Sequence, residues 1–466
     1  MNKSKYLIKN MGILTLSNFS SKILVFLLVP LYTSVLSTTE YGAYDLSVST
    51  ATLFYPILTL NITDAIMRFS MDKTYDKKCI ASIGLKFVSL SVIIFGIGMY
   101  VLNATNLRMD INGLEVYIFL YYISYVLNQY LIQLTKGLER VKDMGIAGIL
   151  STFVTLITNI LFLLVFKWGL IGFFFASIFA QVISGVYLSL RIRLWTYIDF
   201  KLKDRVLQQE MLAYSIPLIA TVVGWWINST ADKYVVTFML GVASNGILSV
   251  SYKIPQIINT LQGIFTQAWQ ISAIKEYGER DTAVFYGNTF TIINLLMCVA
   301  CSWLILLTKL LARILYAKSF YVSWKYVPFL LIASVLNCAS GLLGPILSAK
   351  KNTKAMMWSA LLGAGANIVL NIILVYCLGI QGATIATVLC SYIIYFVRKK
   401  AVGEDIQLDN YVVILMSWGL LCVQAIIEIY YSNYLLEIII ILALFMINKK
   451  LIKQFLLKIK SILKMP

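Results

Sequence analysis

Lys22, Lys86, Lys233 and Lys253 each interrupt a run of leucine, isoleucine, valine, phenylalanine and alanine long enough to cross a bilayer. An ionisable group at mid-membrane costs on the order of 2.5–3.5 kcal/mol on the gentler insertion scales, so it faces a partner or a wet cavity. Lys22 and Lys253 lie deepest. Lys86 stands close enough to the end of its run for its ammonium to reach the interface. A fixed ammonium in a low-dielectric pocket suits a phosphate-bearing anion, because it recovers part of the anion's desolvation cost. Lys22 and Lys253 lead as candidates for such a cationic cavity and Lys233 follows. The competing reading is a structural pairing with a carboxylate.

Three carboxylates bear on that choice. Asp232 precedes Lys233 but points to a different face of a helix, whereas Asp45 or Asp64 could neutralise it. Asp64 and Arg68 stand at i and i+4, the spacing of a local helical salt bridge. The alternative for Asp45, Asp64 and Asp232 is to bind a coupling ion, sodium or a proton. The chain has no histidine, which removes the commonest general base and metal ligand. Cys298 and Cys301 form a C-x-x-C, but amid Leu296, Met297, Val299 and Ala300 they read as small packing residues. No nucleophile–base pair, phosphate loop or metal cluster is legible. The residues point to binding and movement rather than bond chemistry, with no cofactor.

Around Lys233 and Lys253 the sequence is polar and aromatic: Trp225, Trp226, Asn228, Gln256, Asn259, Gln262, Gln267, Trp269 and Gln270. Several recur at three to four residues and so share one helical stripe, which in a membrane must face water or protein. Gln256, Asn259, Trp226 and Trp269 are the candidates for facing a saccharide, through amide hydrogen bonds and aromatic faces. The bland alternative is helix packing and interfacial anchoring.

The elements that must position these residues are membrane helices. Hydrophobic residues make up 60% of the 466 and charged residues 13%, against roughly 45–50% and 25% in soluble domains. Mean hydropathy is +0.82. A chain of that balance needs lipid as solvent. The net charge of +18 resides in short clusters between apolar runs, which argues for a membrane surface and against nucleic acid. Fourteen stretches reach the roughly 20 apolar residues of a span, at about 11–36, 44–67, 79–102, 114–135, 144–166, 168–190, 211–240, 245–273, 282–307, 326–349, 355–378, 380–397, 411–430 and 434–447. Residues 448–466 read as a basic amphipathic helix on an anionic leaflet. The basic clusters at Lys3–Lys5–Lys9, Arg68–Lys78, Lys136–Lys142, Arg191–Arg205, Lys350–Lys354 and Arg398–Lys400 all fall on one side. The other side holds little beyond Arg108, Lys167, Lys309, Arg313, Lys318 and Lys325. The positive-inside rule then places both termini in the cytoplasm.

The sequence also repeats. The corner Leu36-Ser37-Thr38-Thr39-Glu40-Tyr41-Gly42-Ala43-Tyr44 has a partner in Leu240-Gly241-Val242-Ala243-Ser244-Asn245-Gly246-Ile247-Leu248. Asn159…Gly169-Leu170-Ile171-Gly172 has one in Asn371…Gly379-Ile380-Gln381-Gly382. The offset is six spans, and an even-numbered repeat keeps its orientation, so the halves relate by an axis along the membrane normal. The expectation is an all-α membrane protein of about 14 transmembrane helices. Residues 1–200 and 201–400 form two six-helix lobes, 401–447 an additional helix pair and 448–466 a basic tail.

These corners resemble those of polysaccharide repeat-unit flippases. Glu40-Tyr41-Gly42-x-Tyr44 is similar to the first-lobe "L-G-x-x-x-Y-G-x-Y", and Gly241-x-x-x-Asn245-Gly246-Ile247 is similar to the second-lobe "G-x-x-x-V-G-I-Y-S", with Asn245 and Leu248 departing from it. The resemblance implies the multidrug/oligosaccharidyl-lipid/polysaccharide exporter superfamily, whose two lobes flank a cavity and alternate access. It further implies an undecaprenyl-diphosphate-linked oligosaccharide as substrate in a bacterial cytoplasmic membrane, with glycan polymerase and glycosyltransferases as partners alongside membrane lipids. A drug or organic-cation antiporter of the same fold is the second reading, weakened because it would want an acidic cavity. A membrane polymerase or ligase is the third, and the short outer loops disfavour it.

Overall fold

The computed structural model describes residues 26–72, 74–104, 113–199, 201–202, 204–278, 281–449 and 451. These residues are almost wholly helical. In chain order the helices are α1 (Val29–Val35), α2 (Thr38–Leu58), α3 (Ile62–Ser70), α4 (Lys77–Ala104), α5 (Glu115–Gly137), α6 (Val141–Asn159), α7 (Gly169–Ile192), α8 (Arg205–Leu240) and α9 (Val242–Ser251). They continue as α10 (Gln256–Lys275), α11 (Thr282–Leu306), α12 (Thr308–Leu315), α13 (Val327–Ala349), α14 (Thr353–Leu378), α15 (Ile380–Val402), α16 (Tyr411–Ile426) and α17 (Tyr434–Ile447). Among the described residues nine helices are long and apolar enough to cross a membrane, or ten when α2 and α3 count as one bent span. α9 and α17 are apolar but shorter. The apolar stretches of the sequence from the second onward each meet a helix or a bent pair in order, but the described helices do not fix the count at fourteen.

Exposed leucine, isoleucine, phenylalanine and tryptophan side chains run along many of these helices, Ile93, Phe153, Val186, Phe238 and Ile439 among them. On a soluble protein this would be an aggregation surface; on a spanning helix it is the lipid face.

The residues fall into two compact units, divided between Thr230 and Ala231 within α8. The start of α8 belongs to the first: Leu207 and Met211 are in its core with Ile66, Ile80 and Leu134, and Tyr75 donates a hydrogen bond to Glu210 at 2.9 Å. In the second unit α13 is the central helix, buried along nearly its whole length against α10, α11 and α15.

The corners are built from specific caps. Ser37 begins α2 with a capping box: its hydroxyl accepts from the Glu40 N–H at 3.2 Å and Glu40 Oε2 accepts from the Ser37 N–H at 2.7 Å. Two otherwise orphaned donors are satisfied in this way. Tyr32 stacks on Tyr41 at 5.0 Å, and Tyr44 packs on Phe173 and reaches Ser177 at 2.5 Å. The repeated Asn…Gly-x-x-Gly segments share one construction. Gly169 and Gly379 take positive φ, +54° and +61°, ahead of α7 and α15. Gly172 and Gly382 then press on the preceding helix, where a methyl on Gly382 would run into the Leu374 carbonyl oxygen. Asn159 and Asn371 are buried, donate to carbonyls four residues back, and leave their Oδ1 atoms without a partner.

Cys298 and Cys301 are both free and fully buried.

Candidate functional site

In the second unit the eighth apolar stretch is not one helix. α9 stops at Ser251, residues 252–255 form a turn, and α10 restarts at Gln256. Pro255 explains the stop: it has no N–H for a helical bond, and its ring disfavours helical geometry at Ile254. Lys253 sits in this break, half-buried, its backbone N–H bonded to Val250 O at 3.0 Å. Irregular backbone at membrane depth is tolerated where protein or a water-filled cavity satisfies it. The N-terminus of α10 opens two residues on, so its positive dipole end and the Lys253 ammonium lie on the same short segment.

The break is tied to α8. Tyr252 donates its phenolic O–H to Asp232 Oδ2, and Asp232 Oδ1 accepts the Lys233 backbone N–H at 2.9 Å. Asp232 is 3% exposed. On α14 Asn367 and Asn371 are buried, as is Cys390 on α15. Asn371 donates to Asn367 O and Oδ1 at 2.8 and 3.0 Å. Asp232 is thus buried with the Tyr252 phenol and the Lys233 backbone N–H as its donors, and the Lys233 side chain is half-buried beside it on α8.

The first unit carries a matching interruption. α2 and α3 meet at 61°. Pro56 starts the disturbance, Leu60 and Asn61 take left-handed φ of 52° and 51°, and the Asn61 N–H bonds Pro56 O at 2.8 Å. Asp64 follows the bend and accepts from Asn61 Nδ2 at 3.0 Å and Gln133 Nε2 at 3.3 Å. No ion pair joins it to Arg68 among the described residues, because the bend leaves Asp64 to the amides while Arg68 is exposed. The i,i+4 salt bridge expected from spacing is therefore not formed. Asp45 lies half-buried in α2 beyond the capped corner.

The other candidates separate. Lys22 lies outside the described residues, as does the Gln267 side chain. Gln256 is exposed, Asn259 and Trp226 are half-buried, and Gln262 donates to Asn337 O at 3.4 Å. Trp269 is 3% exposed, donates its indole N–H to Leu342 O at 2.8 Å, stacks with Phe265 and meets Tyr286 edge-on. Its place in this conformation is the core joining α10 to α13. Lys86 is exposed at the rim of a 420 Å³ cavity with Arg205, Gln208 and Asp204, as its place in the sequence predicts.

One residue was read from its neighbours in sequence and lies elsewhere. Arg398, in the run Arg398-Lys399-Lys400, is 4% exposed and donates to Ser340 O at 3.0 Å and Ser359 Oγ at 3.1 Å. Lys399 instead stands over the Tyr411 ring. The only sequence signal was phase: Arg398 continues the buried Cys390–Ile394–Tyr395 face of α15.

Residues 7–270 match the model of the family described as polysaccharide biosynthesis protein. Among solved structures, the chain is similar to a lipid II flippase MurJ in an inward closed conformation, with TM-score 0.73 and 16% identity over 95% of this chain and 99% of that one. It is also similar to an inward-facing multidrug resistance MATE family transporter of the MOP superfamily, with TM-score 0.63 and 14% identity over 82% of this chain and 94% of that one. A third is a MOP superfamily transporter from Pyrococcus furiosus, with TM-score 0.57, 14% identity, and 84% and 95% coverage. No curated protein matches the chain in sequence. With more than half its length matched by the family model, the all-helical chain is a multi-pass membrane protein with the MOP transporter fold that belongs to the polysaccharide biosynthesis protein family.

Proposed function

We propose that this protein is a flippase that carries undecaprenyl-diphosphate-linked oligosaccharide repeat units from the cytoplasmic to the outer leaflet of a bacterial cytoplasmic membrane, by alternating access. The observation that carries the reading is Lys253 in the break between α9 and α10. A cation on interrupted backbone, immediately before a helix N-terminus, is suited to a diphosphate. Lys22 and Lys233 serve the same anion, and Gln256, Asn259 and Trp226 offer amides and an aromatic face to the sugars. The family's place in polysaccharide biosynthesis and the fold shared with a lipid II flippase support it. Both termini are cytoplasmic, and no bond is made or broken. Glycosyltransferases supply the lipid-linked unit and a glycan polymerase consumes it.

Asp232 is the coupling-ion residue in this reading, binding sodium or a proton; Asp45 and Asp64 are secondary. Burial of Asp232 against the tyrosine that begins the break would let ion occupancy bias the geometry of Lys253. The antiporter reading fares less well, because the break carries a cation where an organic cation would need an acid.

The test is Lys253→Ala in the full chain. Export of the glycan in a deletion strain is expected to fall to background, with normal protein in the membrane, while Lys86→Ala exports as the wild type does. Full complementation by Lys253→Ala would remove the cationic site from the reading.

A further inference from the structure

The helix pair α16–α17 holds a group of buried charges that the transport reading does not use. α16 ends in a π-helical turn, Ile427–Tyr431, and α17 begins at Tyr434 with Asn433 capping its first N–H groups. Glu428 in that turn and Glu437 in the first turns of α17 are each 0% exposed. The start of α17 packs back against that turn, so both buried carboxyl groups lie in one dry interface, where that of Glu437 acts on that of Glu428. The pair is anchored to α11 by two further polar rungs: Trp418 donates to Asn294 Oδ1 at 3.0 Å, and Gln424 and Ser302 exchange hydrogen bonds at 2.6 and 3.0 Å.

One cation reaches the carboxyls among the described residues. Lys309, on α12, has its Nζ 3.5 Å from Glu428 Oε2 and 4.4 Å from the centre of the Trp324 ring. Its other contacts are the Glu428 backbone carbonyl and the Ser432 hydroxyl. Among the described residues nothing donates to Glu428 Oε1, to Glu437 Oε1 or to Glu437 Oε2. Other titratable groups on these helices include the buried thiols of Cys298 and Cys301 on α11, the half-buried Cys422 thiol on α16, and the exposed phenols of Tyr430, Tyr431 and Tyr434. Arg313 on α12 and Lys325 in the 3-10 segment Lys318–Tyr326 are exposed.

Two ionised carboxylates in contact, both out of water and facing a single ammonium, would leave one uncompensated buried charge and three carboxylate oxygens without a donor. We propose that Glu428, Glu437 and Lys309 form a proton-binding site in the appended helix pair, in which one proton is held between the two carboxyl groups. That proton supplies the missing donor from one carboxyl oxygen to the other. It brings the group to zero net charge: one carboxylate, one carboxylic acid, one ammonium. With the proton bound, α17 is tied to α16 and through Lys309 to α12. When the proton leaves, a net negative charge remains in a dry interface and the tie weakens. The exposed glutamates of an unfolded chain are ionised at neutral pH, so the folded chain holds the extra proton and its stability declines as pH rises.

The experiment uses the full chain, purified and reconstituted in lipid nanodiscs. Infrared spectroscopy is expected to show the C=O band of a buried carboxylic acid at neutral pH, shifting on exchange into deuterium oxide. The band is lost in Glu437→Gln, which leaves the Glu428 carboxylate paired with Lys309, and is altered in Glu428→Gln, which removes the second carboxyl group. It approximately doubles in Lys309→Met, where nothing stabilises either carboxylate. Thermal unfolding of the wild type is expected to move to lower temperature from mildly acid to mildly alkaline pH, and that of Glu437→Gln to stay level. A wild-type band insensitive to both glutamine substitutions, or a Glu437→Gln profile parallel to the wild type, would overturn the proposal. So would a band that sodium chloride abolishes relative to choline chloride, which would assign the site to a metal cation. Lys309→Met is not needed for this decision if it fails to fold.

Discussion

At the residue scale, the carboxylates and lysines that sequence placed inside spans are not equivalent. Asp232 is buried and held by the Tyr252 phenol, whereas Asp64 is taken up by two amides at a helix bend. If Asp232 binds the coupling ion, Asp232→Asn keeps an acceptor for Tyr252 and removes only the charge. Ion stimulation of transport into proteoliposomes should then fall by about 5–150-fold, the range of an ordinary coupling free energy, with binding of the lipid-linked substrate retained. Equal ion stimulation in wild type and variant would dismiss Asp232 from this role. Arg398 shows the limit of reading charge by neighbourhood. It shares a basic run with Lys399 and Lys400, yet a helix turns 100° per residue, so one of three adjacent residues can face the core while the others face water.

At the element scale, the interrupted helices and the paired glycine corners carry the design. Proline in a span is tolerated because neighbours re-satisfy the freed backbone, and here Pro56 and Pro255 stand at the edges of the two interruptions. Gly382 is the sharper case. An added methyl meets the Leu374 carbonyl, a backbone atom that cannot swing away, so Gly382→Ala should cost about 1–3 kcal/mol by overpacking. Gly365, exposed on α14 with open space around it, is the control: Gly365→Ala should be neutral or slightly stabilising. Thermal unfolding in one detergent compares the two, and equal transition temperatures would show that the corner relaxes. These elements were partly legible. The repeated Gly-x-x-Gly spacing marked the corners, and Pro255 marked a bend. Hydropathy reads 44–67 as one continuous span, whereas the structure turns it by 61° between α2 and α3; Asn61 accepts left-handed backbone readily, but Leu60 beside it gives no such sign.

At the scale of the whole molecule, the basic clusters predict which loops face the cytoplasm. Arg140, near the start of α6, and Lys167, ahead of α7, bracket one span and should lie on opposite sides. Arg140→Cys in a chain stripped of its seven cysteines should react with an impermeant maleimide only in inverted vesicles, and Lys167→Cys only in right-side-out cells. Labelling of both from the same side would reverse or break the proposed topology. The two compact units also show why the joint was hard to place. The basic segment 191–210 looks like a linker, but Tyr75–Glu210 and the burial of Leu207 and Met211 hold the start of α8 to the first unit.

The sequence by itself determined the class of molecule and its internal repeat. Hydropathy over twenty residues is a bulk property that survives any detail of packing, and a repeated corner needs the same glycines wherever it occurs. The partners of buried polar groups were decided only by tertiary structure. Asp64 chose Asn61 and Gln133 over Arg68, Arg398 found Ser340 and Ser359, Trp269 gave its indole to Leu342, and Glu428 met Glu437 across a turn. Out of water each such group takes whichever partner the neighbouring helix presents, and which face a helix presents depends on bends and registers that no local pattern records.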